Sequence, residues 1–465
     1  MVEKGCLIYF FNFILFTTKN HKKLSPFLLQ MARILLQDLK NHLNQEVLIQ
    51  GWVQEVRNLS KIKFIILRDR SGTMQTLALK ADTDPISFEV INTVTQESVV
   101  EIQGIPKENK ESKWGIEVVI KTITVISPAG VPLPIDNSDK GQTVIDKRLD
   151  HRFLDTRNPK RLAIFKIRSK IVKILTNFLD AQGFTNINTP KLTTIGVESG
   201  AELFKVDYFG TPVYLAQSPQ VYKQMFVAGG FERVYEIAPV FRAEKSHTMR
   251  HLTEFTGVDF EMGFIKDHND VMDLIESMFF DLVRNLEKEA RAELELLGVT
   301  HTLPTKIPRL TLDEAKKLLV AKGKKYAAYE DLDAEGEKLI CEIVKEKYNS
   351  EFVFITLFPW AVKPFYQMKD EKNKKVTKSF DLLLNGVEIC SGSQREHRVE
   401  VWKAQAKEKG LDPEAMKEYL ELFQYGMPLH GGAGFGLDRI TQRLLGLDNV
   451  REAVLLPRDP ERKTP

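Results

Sequence analysis

VFRAEKSHTMRHLTEFTGVDFEM, residues 240–262, has apolar alternation at both ends and a charged centre, the pattern of a strand, a loop and a returning strand. The charges gather at the turn. Phe241, Arg242 and Glu244 precede it, Lys245, His247, Arg250 and His251 lie within it, and Glu254, Phe255 and Asp259 follow it. Arginine grips phosphate or carboxylate through paired N–H groups and aromatic faces stack on bases, so such a tip can receive a nucleotide beside an amino acid. Taken alone, an FRxE hairpin is a solvated tip. Its meaning depends on its company along the chain.

The chain has 465 residues, 43% hydrophobic and 28% charged, which excludes a disordered or fibrous protein and leaves room for two or three domains. Its net charge of +3 gives no global field, so any nucleic-acid contact must come from local basic patches. Cys6, Cys341 and Cys390 are scattered, with no CxxC pair, which points to a reducing compartment and no structural metal. CLIYFFNFILF, residues 6–16, falls short of the roughly 20 apolar residues a membrane span needs, and no cleavage site follows it. Residues 1–30 are therefore expected to lie outside the fold as an N-terminal extension, ahead of an internal start at Met31.

From Val47 to Ile126 the period is two. VLIQGWVQEV, IKFIILRD, TMQTLALK, VVEIQGI and IEVVIKTITVI are five candidate strands, which suggests a small OB-type barrel over residues 31–130. Phe64 on the second strand, Gln75 on the third and Arg57 in the first connection could stack on, read and neutralise unpaired bases. Phe64 as core and Gln75 as plain surface fits this stretch equally well. Residues 131–155 follow as a proline-bearing, polar linker.

A second domain is expected over 156–465. Ile164, Ile167, Ile171, Ile174, Leu175, Phe178 and Leu179 have helical spacing within Ala163–Gln182, and Gly183 ends that helix. FTNINTPKL then predicts an edge strand with Pro190 inside it. ESGAELF and VYLAQSPQVYKQMF precede the hairpin. After it, Asp270–Leu297 is expected to be one long helix, residues 306–349 helical, and residues 398–422 a polar helix. KSFDLLLNGVEICSGSQREHR places Asp381, Glu388, Ser391, Gln394 and Arg395 along one strand and its exit, where paired carboxylates beside a nucleotide suit magnesium. HGGAGFGLDRI, residues 430–440, puts glycines where backbone can approach a ligand and Arg439 on an emerging helix.

Together these segments resemble the class II aminoacyl-tRNA synthetases. The helix with TPKL is similar to their motif 1, FRAE with its returning strand to motif 2, and GFGLDR to motif 3. Three motifs in order behind an OB-like domain are specific. Within the class the chain resembles the aspartyl-tRNA synthetases of the archaeal and eukaryotic cytosolic type, from Met31 to Pro465. The short distance between motifs 2 and 3 leaves no space for the large insertion of the typical bacterial form.

The resemblance implies an α+β architecture, an N-terminal OB-type β-barrel joined to a catalytic antiparallel sheet flanked by helices. It implies a cytoplasmic homodimer, paired through motif 1 and not membrane-bound, whose partners are ATP, L-aspartate and tRNA(Asp), with tRNA(Asn) left open. It implies Arg242, Glu388 and Arg439 as catalytic residues. ATP would be held by Arg242, Glu244, Arg250, His251, Leu252, Phe255, Glu388, Gly436, Leu437, Asp438 and Arg439. Magnesium would bind Glu388 and Ser391, with Asp381 behind them. Lys223 and Arg395 would hold the substrate's side-chain carboxylate, Glu198 and Asp259 its ammonium, with Gln220, Arg242 and Ser391 completing the amino-acid site. Arg57, Phe64 and Gln75 would meet the anticodon. Asparaginyl enzymes usually carry SGQ and an acid where this chain has SPQ and Lys223, which favours aspartate. An asparaginyl enzyme and a non-catalytic RNA-binding relative are the alternatives.

Overall fold

The computed structural model describes residues 32–138, 141–194, 203–245, 248–327 and 330–464; the expected extension, Glu198 and His247 lie outside them. The chain separates into two compact units, residues 1–133 and 134–465. No helix among the described residues is long and apolar enough to cross a membrane.

The first unit is a closed barrel of β1 (Val47–Asn58), β2 (Ile62–Asp69), β3 (Gly72–Leu79), β4 (Val99–Glu108) and β5 (Ile116–Ser127), closed in the order β1-β2-β3-β5-β4. Alternation builds it: Ile65 and Leu67 of β2, Met74 of β3 and Val100 and Ile102 of β4 enter one core. Residues between them face out. The helix Pro85–Val90, capped by Asp84, separates β3 from β4.

The second unit is built on an eight-stranded sheet. Its strands are β6 (Thr185–Asn186), β10 (Arg233–Phe241), β11 (Glu254–Gly263), β12 (Arg309–Thr311), β13 (Phe352–Thr356), β14 (Ser379–Leu384), β15 (Val387–Gln394) and β16 (His430–Gly436). They run in the order β12-β13-β14-β15-β16-β11-β10-β6, while β7 (Leu192–Thr193), β8 (Lys205–Tyr208) and β9 (Thr211–Leu215) form a separate small sheet. The hairpin expected at residues 240–262 is β10 and β11, paired antiparallel from Arg233↔Met262 to Phe241↔Glu254.

The helix expected from Ala163 runs Pro159–Ala181, with Asn158 capping Lys160 and Arg161 and Gly183 in the left-handed conformation beyond its end. Its isoleucines and leucines enter the main core with Phe260, Phe279 and Phe435. Burying each such side chain contributes about 1.5–3 kcal/mol. That is what fixes the helix against the sheet.

Several expectations change. Pro190 lies between β6 and β7, not inside a strand, and buried Glu236 accepts from the Thr189 N–H and hydroxyl at 2.7 Å each. The helix after the hairpin breaks at Ala290 into His268–Glu289 and Arg291–Leu297. The segment 306–349 contains β12 before the helices Leu312–Ala321 and Ala334–Tyr348. The expected polar helix at 398–422 is two helices, Val399–Glu408 and Lys417–Gln424, closed over buried Trp402, Tyr419 and Phe423. The segment with Asp381 and Glu388 is a hairpin turned at Asn385-Gly386, where φ is 47° and 84°. Both values require left-handed backbone, which Asn-Gly supplies. Arg57 sits within β1 rather than in a connection.

Candidate active site

One cavity of about 300 Å³ opens over β11, β15 and β16. It is lined by Gln220, Lys223, Arg242, Glu244, Arg250, His251, Leu252, Phe255, Asp259, Glu388, Ser391, Arg395, Gly436, Asp438 and Arg439, so the sheet brings together residues far apart in the chain. Leu437 is fully buried and does not line it.

One end of the cavity is built from paired charges. Lys223, 2% exposed, points its ammonium at Asp259 Oδ1 (3.0 Å), Glu261 Oε2 (3.5 Å) and the Ala433 carbonyl (3.3 Å). The contacts with Asp259 and Ala433 are hydrogen bonds and the approach to Glu261 is an ion pair, so the ammonium is held from three sides by the protein. Arg395 donates through Nε to Glu261 Oε1 (2.9 Å), through one NH2 hydrogen to Glu261 Oε2 (3.2 Å) and through NH1 to Ser393 Oγ (2.7 Å). A guanidinium has five N–H donors, so two N–H groups remain among the described contacts. Burial opposes ionisation of Glu261, but Arg395 and Lys223 hold its carboxyl below the usual range.

Glycines of β16 make room for these acids. Gly432 faces Glu261 and Gly434 faces Asp259 across the ladder. A Cβ at Gly432 would lie 2.1 Å from the Phe260 carbonyl and 2.4 Å from Glu261 Oε2, and one at Gly434 would lie 2.9 Å from Asp259 Oδ1. Gly432 and Gly434 admit the neighbouring strand's carboxylates, and Gly434 and Gly436 also line the cavity.

Behind the charges lies a neutral layer. His430 Nδ1 is 2.9 Å from the Pro428 carbonyl, which can only accept, so Nδ1 carries the proton and Nε2 accepts from Gln224 at 2.7 Å. Gln224 Oε1 accepts from Gln220 at 2.9 Å and from the Tyr419 hydroxyl. Burial pushes His430 down to about 4. It stays uncharged beneath two cations.

The other end carries the hairpin tip. The Arg242 guanidinium stands 5.4 Å from the Phe255 ring, and its Nε is buried with no hydrogen-bond partner among the described residues. Arg439 is fixed by the carbonyls of Arg250 (3.2 Å) and Glu388 (3.0 Å). Arg250 reaches Glu337 of the helix Ala334–Tyr348 at 2.6 Å; burial pushes that carboxyl up to about 7, with Arg250 opposing. His251 lies 3.7 Å from Glu244. Asp438 lies at the cavity edge but spends both oxygens inside the protein, accepting from Arg168 at 2.8 Å and from the Thr256 N–H at 3.0 Å.

Glu388 and Ser391 are three positions apart, which in a regular strand would put them on opposite faces. Between Leu382↔Cys390 and Leu383↔Glu388 the ladder carries a bulge, with Ile389 as the extra residue. Both side chains therefore line the cavity. Asp381, expected as an acid behind them, is opposite Ser391 and pairs with buried Lys363 at 3.0 and 3.1 Å. No group of three or more His, Cys, Asp or Glu among the described residues could hold a metal alone. One carboxylate and one hydroxyl nonetheless suit magnesium that brings phosphates and waters as its other ligands.

In the barrel, Phe64 is half-buried, outside the core cluster, and directly opposite Arg57, whose Nε pairs with Glu55 at 2.6 Å. Gln75 donates to Glu117 at 3.0 Å. Phe64 is thus half-buried and outside the barrel's core cluster.

Residues not singled out from the sequence are Glu261, Gln224, His430, Tyr419, Lys363 and Glu337. Two of them carried a signal. Asp259 and Glu261 share one strand face, and Gln220, Lys223 and Gln224 share one helix face.

Residues 145–460 match the family described as tRNA synthetases class II (D, K and N), and residues 47–126 match the OB-fold nucleic acid binding domain. The chain is 43% identical over 422 residues to an aspartate–tRNA(Asp) ligase of Pyrococcus horikoshii, covering 90% of this chain and 96% of that protein. It is 44% identical over 430 residues to an aspartate–tRNA(Asp/Asn) ligase of Methanocaldococcus jannaschii, covering 92% and 97%. Among solved structures it is similar to asparaginyl-tRNA synthetase from Pyrococcus horikoshii complexed with asparaginyl-adenylate. That likeness has a TM-score of 0.88 at 31% identity, covering 93% of this chain and 100% of the other.

Proposed function

Because the chain belongs to the class II tRNA synthetases of the aspartate, lysine and asparagine group, we propose that its cavity divides into an aspartate end and an ATP end that together make aspartyl-tRNA. The enzyme is an aminoacyl-tRNA ligase. In the first step the aspartate α-carboxylate attacks the α-phosphate of ATP, forming aspartyl-adenylate and releasing pyrophosphate. In the second the terminal ribose hydroxyl of the tRNA attacks the acyl carbonyl and AMP leaves. A carboxylate is already a nucleophile, so the first step asks for alignment and charge neutralisation rather than a base.

The observation that carries the aspartate reading is the pair of unused N–H groups on Arg395, set in a site where Lys223, Asp259, Glu261 and Arg395 already balance. A side-chain carboxylate completes that guanidinium's bonding; an amide would leave a donor facing a donor. Asp259, already shared with Lys223, and Glu198 serve the substrate ammonium, with Gln220 beside them. Arg242 neutralises the α-phosphate, for which its unpartnered buried Nε speaks. Phe255 and Arg439 enclose adenine, Glu244 orients it, and Arg250 and His251 meet the outer phosphates. Magnesium bound by Glu388 and Ser391 would offset charge on the pyrophosphate.

Phe64, Arg57 and Gln75 make the anticodon face of the barrel, and the long helix with the edge strand β6 makes a dimer contact. tRNA(Asn) is a second substrate only if the barrel accepts its anticodon. ATP–pyrophosphate exchange with aspartate and with asparagine tests the central claim. The expected result is strong preference for aspartate; preference for asparagine, as the solved relative's bound adenylate would suggest, overturns it.

A further inference from the structure

The guanidinium of Arg250 lines the cavity, whereas the carboxylate that holds it does not. Glu337 Oε2 lies 2.6 Å from Arg250 NH1 and stands behind the cavity wall, its side chain only 15% exposed. It projects from the first turn of the helix Ala334–Tyr348, capped by Asp333 and packed through Ile340, Cys341 and Val344 into its own apolar cluster. Arg250, by contrast, belongs to the connection between β10 and β11, and its backbone is held from the other side by Arg439 Nε at 3.2 Å. An arginine on a connection carries about 2 kcal/mol of rotamer entropy. A rigid carboxylate behind it removes much of that freedom before any ligand arrives.

We propose that Glu337 is a positioning residue that pre-aims Arg250 at the outer phosphates of ATP. One guanidinium nitrogen is tethered and the others are left for phosphate oxygens. The inference rests on the placement of Arg250 given above. It assigns a task in the reaction to a helix lying outside the three signature motifs.

The test is steady-state ATP–pyrophosphate exchange with the full-length enzyme, comparing Glu337→Gln, Arg250→Ala and the double variant. Glu337→Gln keeps the shape and removes the charge, and the assay is run at pH 8, above the value of about 7 to which burial raises this carboxyl, so that the native side chain is ionised. It should raise the KM for ATP and for pyrophosphate by about five- to tenfold. The KM for aspartate and inhibition by AMP, which lacks outer phosphates, should stay unchanged. In the Arg250→Ala background the same substitution should add nothing. If Arg250→Ala moves neither ATP nor pyrophosphate, the placement of Arg250 fails and the inference falls with it. If Arg250→Ala moves them and Glu337→Gln does not, or lowers the KM, the inference alone is overturned. An effect of Glu337→Gln that persists without Arg250, or that extends to AMP, shows a purely structural role and overturns it too.

Discussion

Replacing Arg395 by lysine keeps a buried positive charge opposite Glu261 and removes the fork. In the native protein three of the five N–H groups are spent on Glu261 and Ser393, at 2.9, 3.2 and 2.7 Å, leaving two among the described contacts, which the proposed function gives to the substrate carboxylate. A lysine ammonium has three donors, which the same two residues consume. Each charge-assisted hydrogen bond in such a water-poor site is worth about 1.5–3 kcal/mol. Part of the Coulombic attraction survives in the variant, so the net loss should be about 3–4 kcal/mol. That corresponds to a fall of about 10²–10³ in kcat/KM for aspartate. ATP–pyrophosphate exchange at varied aspartate and fixed saturating ATP measures it, and the same assay at varied ATP should show a KM within about threefold of wild type. Lys223→Met is the contrasting variant. Its ammonium is held by Asp259, Glu261 and the Ala433 carbonyl, so its loss takes a buried cation away from Asp259 while Glu261 keeps Arg395, and should lower stability by about 3–5 kcal/mol. A folded Arg395→Lys enzyme retaining aspartate kcat/KM within about tenfold, or losing ATP affinity equally, would refute the donor count.

Gly434→Ala would press a methyl toward Asp259 Oδ1 from 2.9 Å, so the carboxylate must move off Lys223. The KM for aspartate should rise with that for ATP unchanged, at a stability cost of about 1–2 kcal/mol by denaturant titration. His430 is neutral in the fold, held down to about 4 from 6.5, while in the unfolded chain it protonates near 6.5. Its contribution is therefore intact above pH 6.5 and is lost as pH falls from 6.5 toward 4. Between pH 7 and pH 5 wild type should lose about 2 kcal/mol more than His430→Asn, and parallel curves would contradict this. Phe64→Ala should raise the KM for tRNA by about tenfold without touching pyrophosphate exchange, since stacking of one base is worth about 1–3 kcal/mol. Equal effects on both assays would remove Phe64 from the anticodon face.

What the sequence disclosed follows physical range. Strands of period two and the helix with Ile164, Ile167 and Ile171 were legible because near neighbours set their pattern. The cavity's arginines were legible by resemblance to known motifs. Glu261 shows in the sequence only as an acid on the strand face of Asp259, because its importance comes from Arg395, 134 positions away. The segment with Trp402 and Tyr419 reads as a polar helix because lysines and glutamates outnumber the aromatics that decide its packing. The Asn385-Gly386 dipeptide is a strong hairpin signal, and the turn it makes divides the segment that reads as one strand. The bulge at Ile389 has no letter code at all.

That irregularity has a consequence for how the enzyme can change. Glu388 and Ser391 reach one face only because Ile389 is left out of the pairing, so drawing Ile389 back into the ladder would turn one of them to the opposite face, whereas deleting Ile389 would leave both on the cavity side. The strand can therefore lose that residue and keep both side chains on one face, but it cannot keep the residue and lose the irregularity.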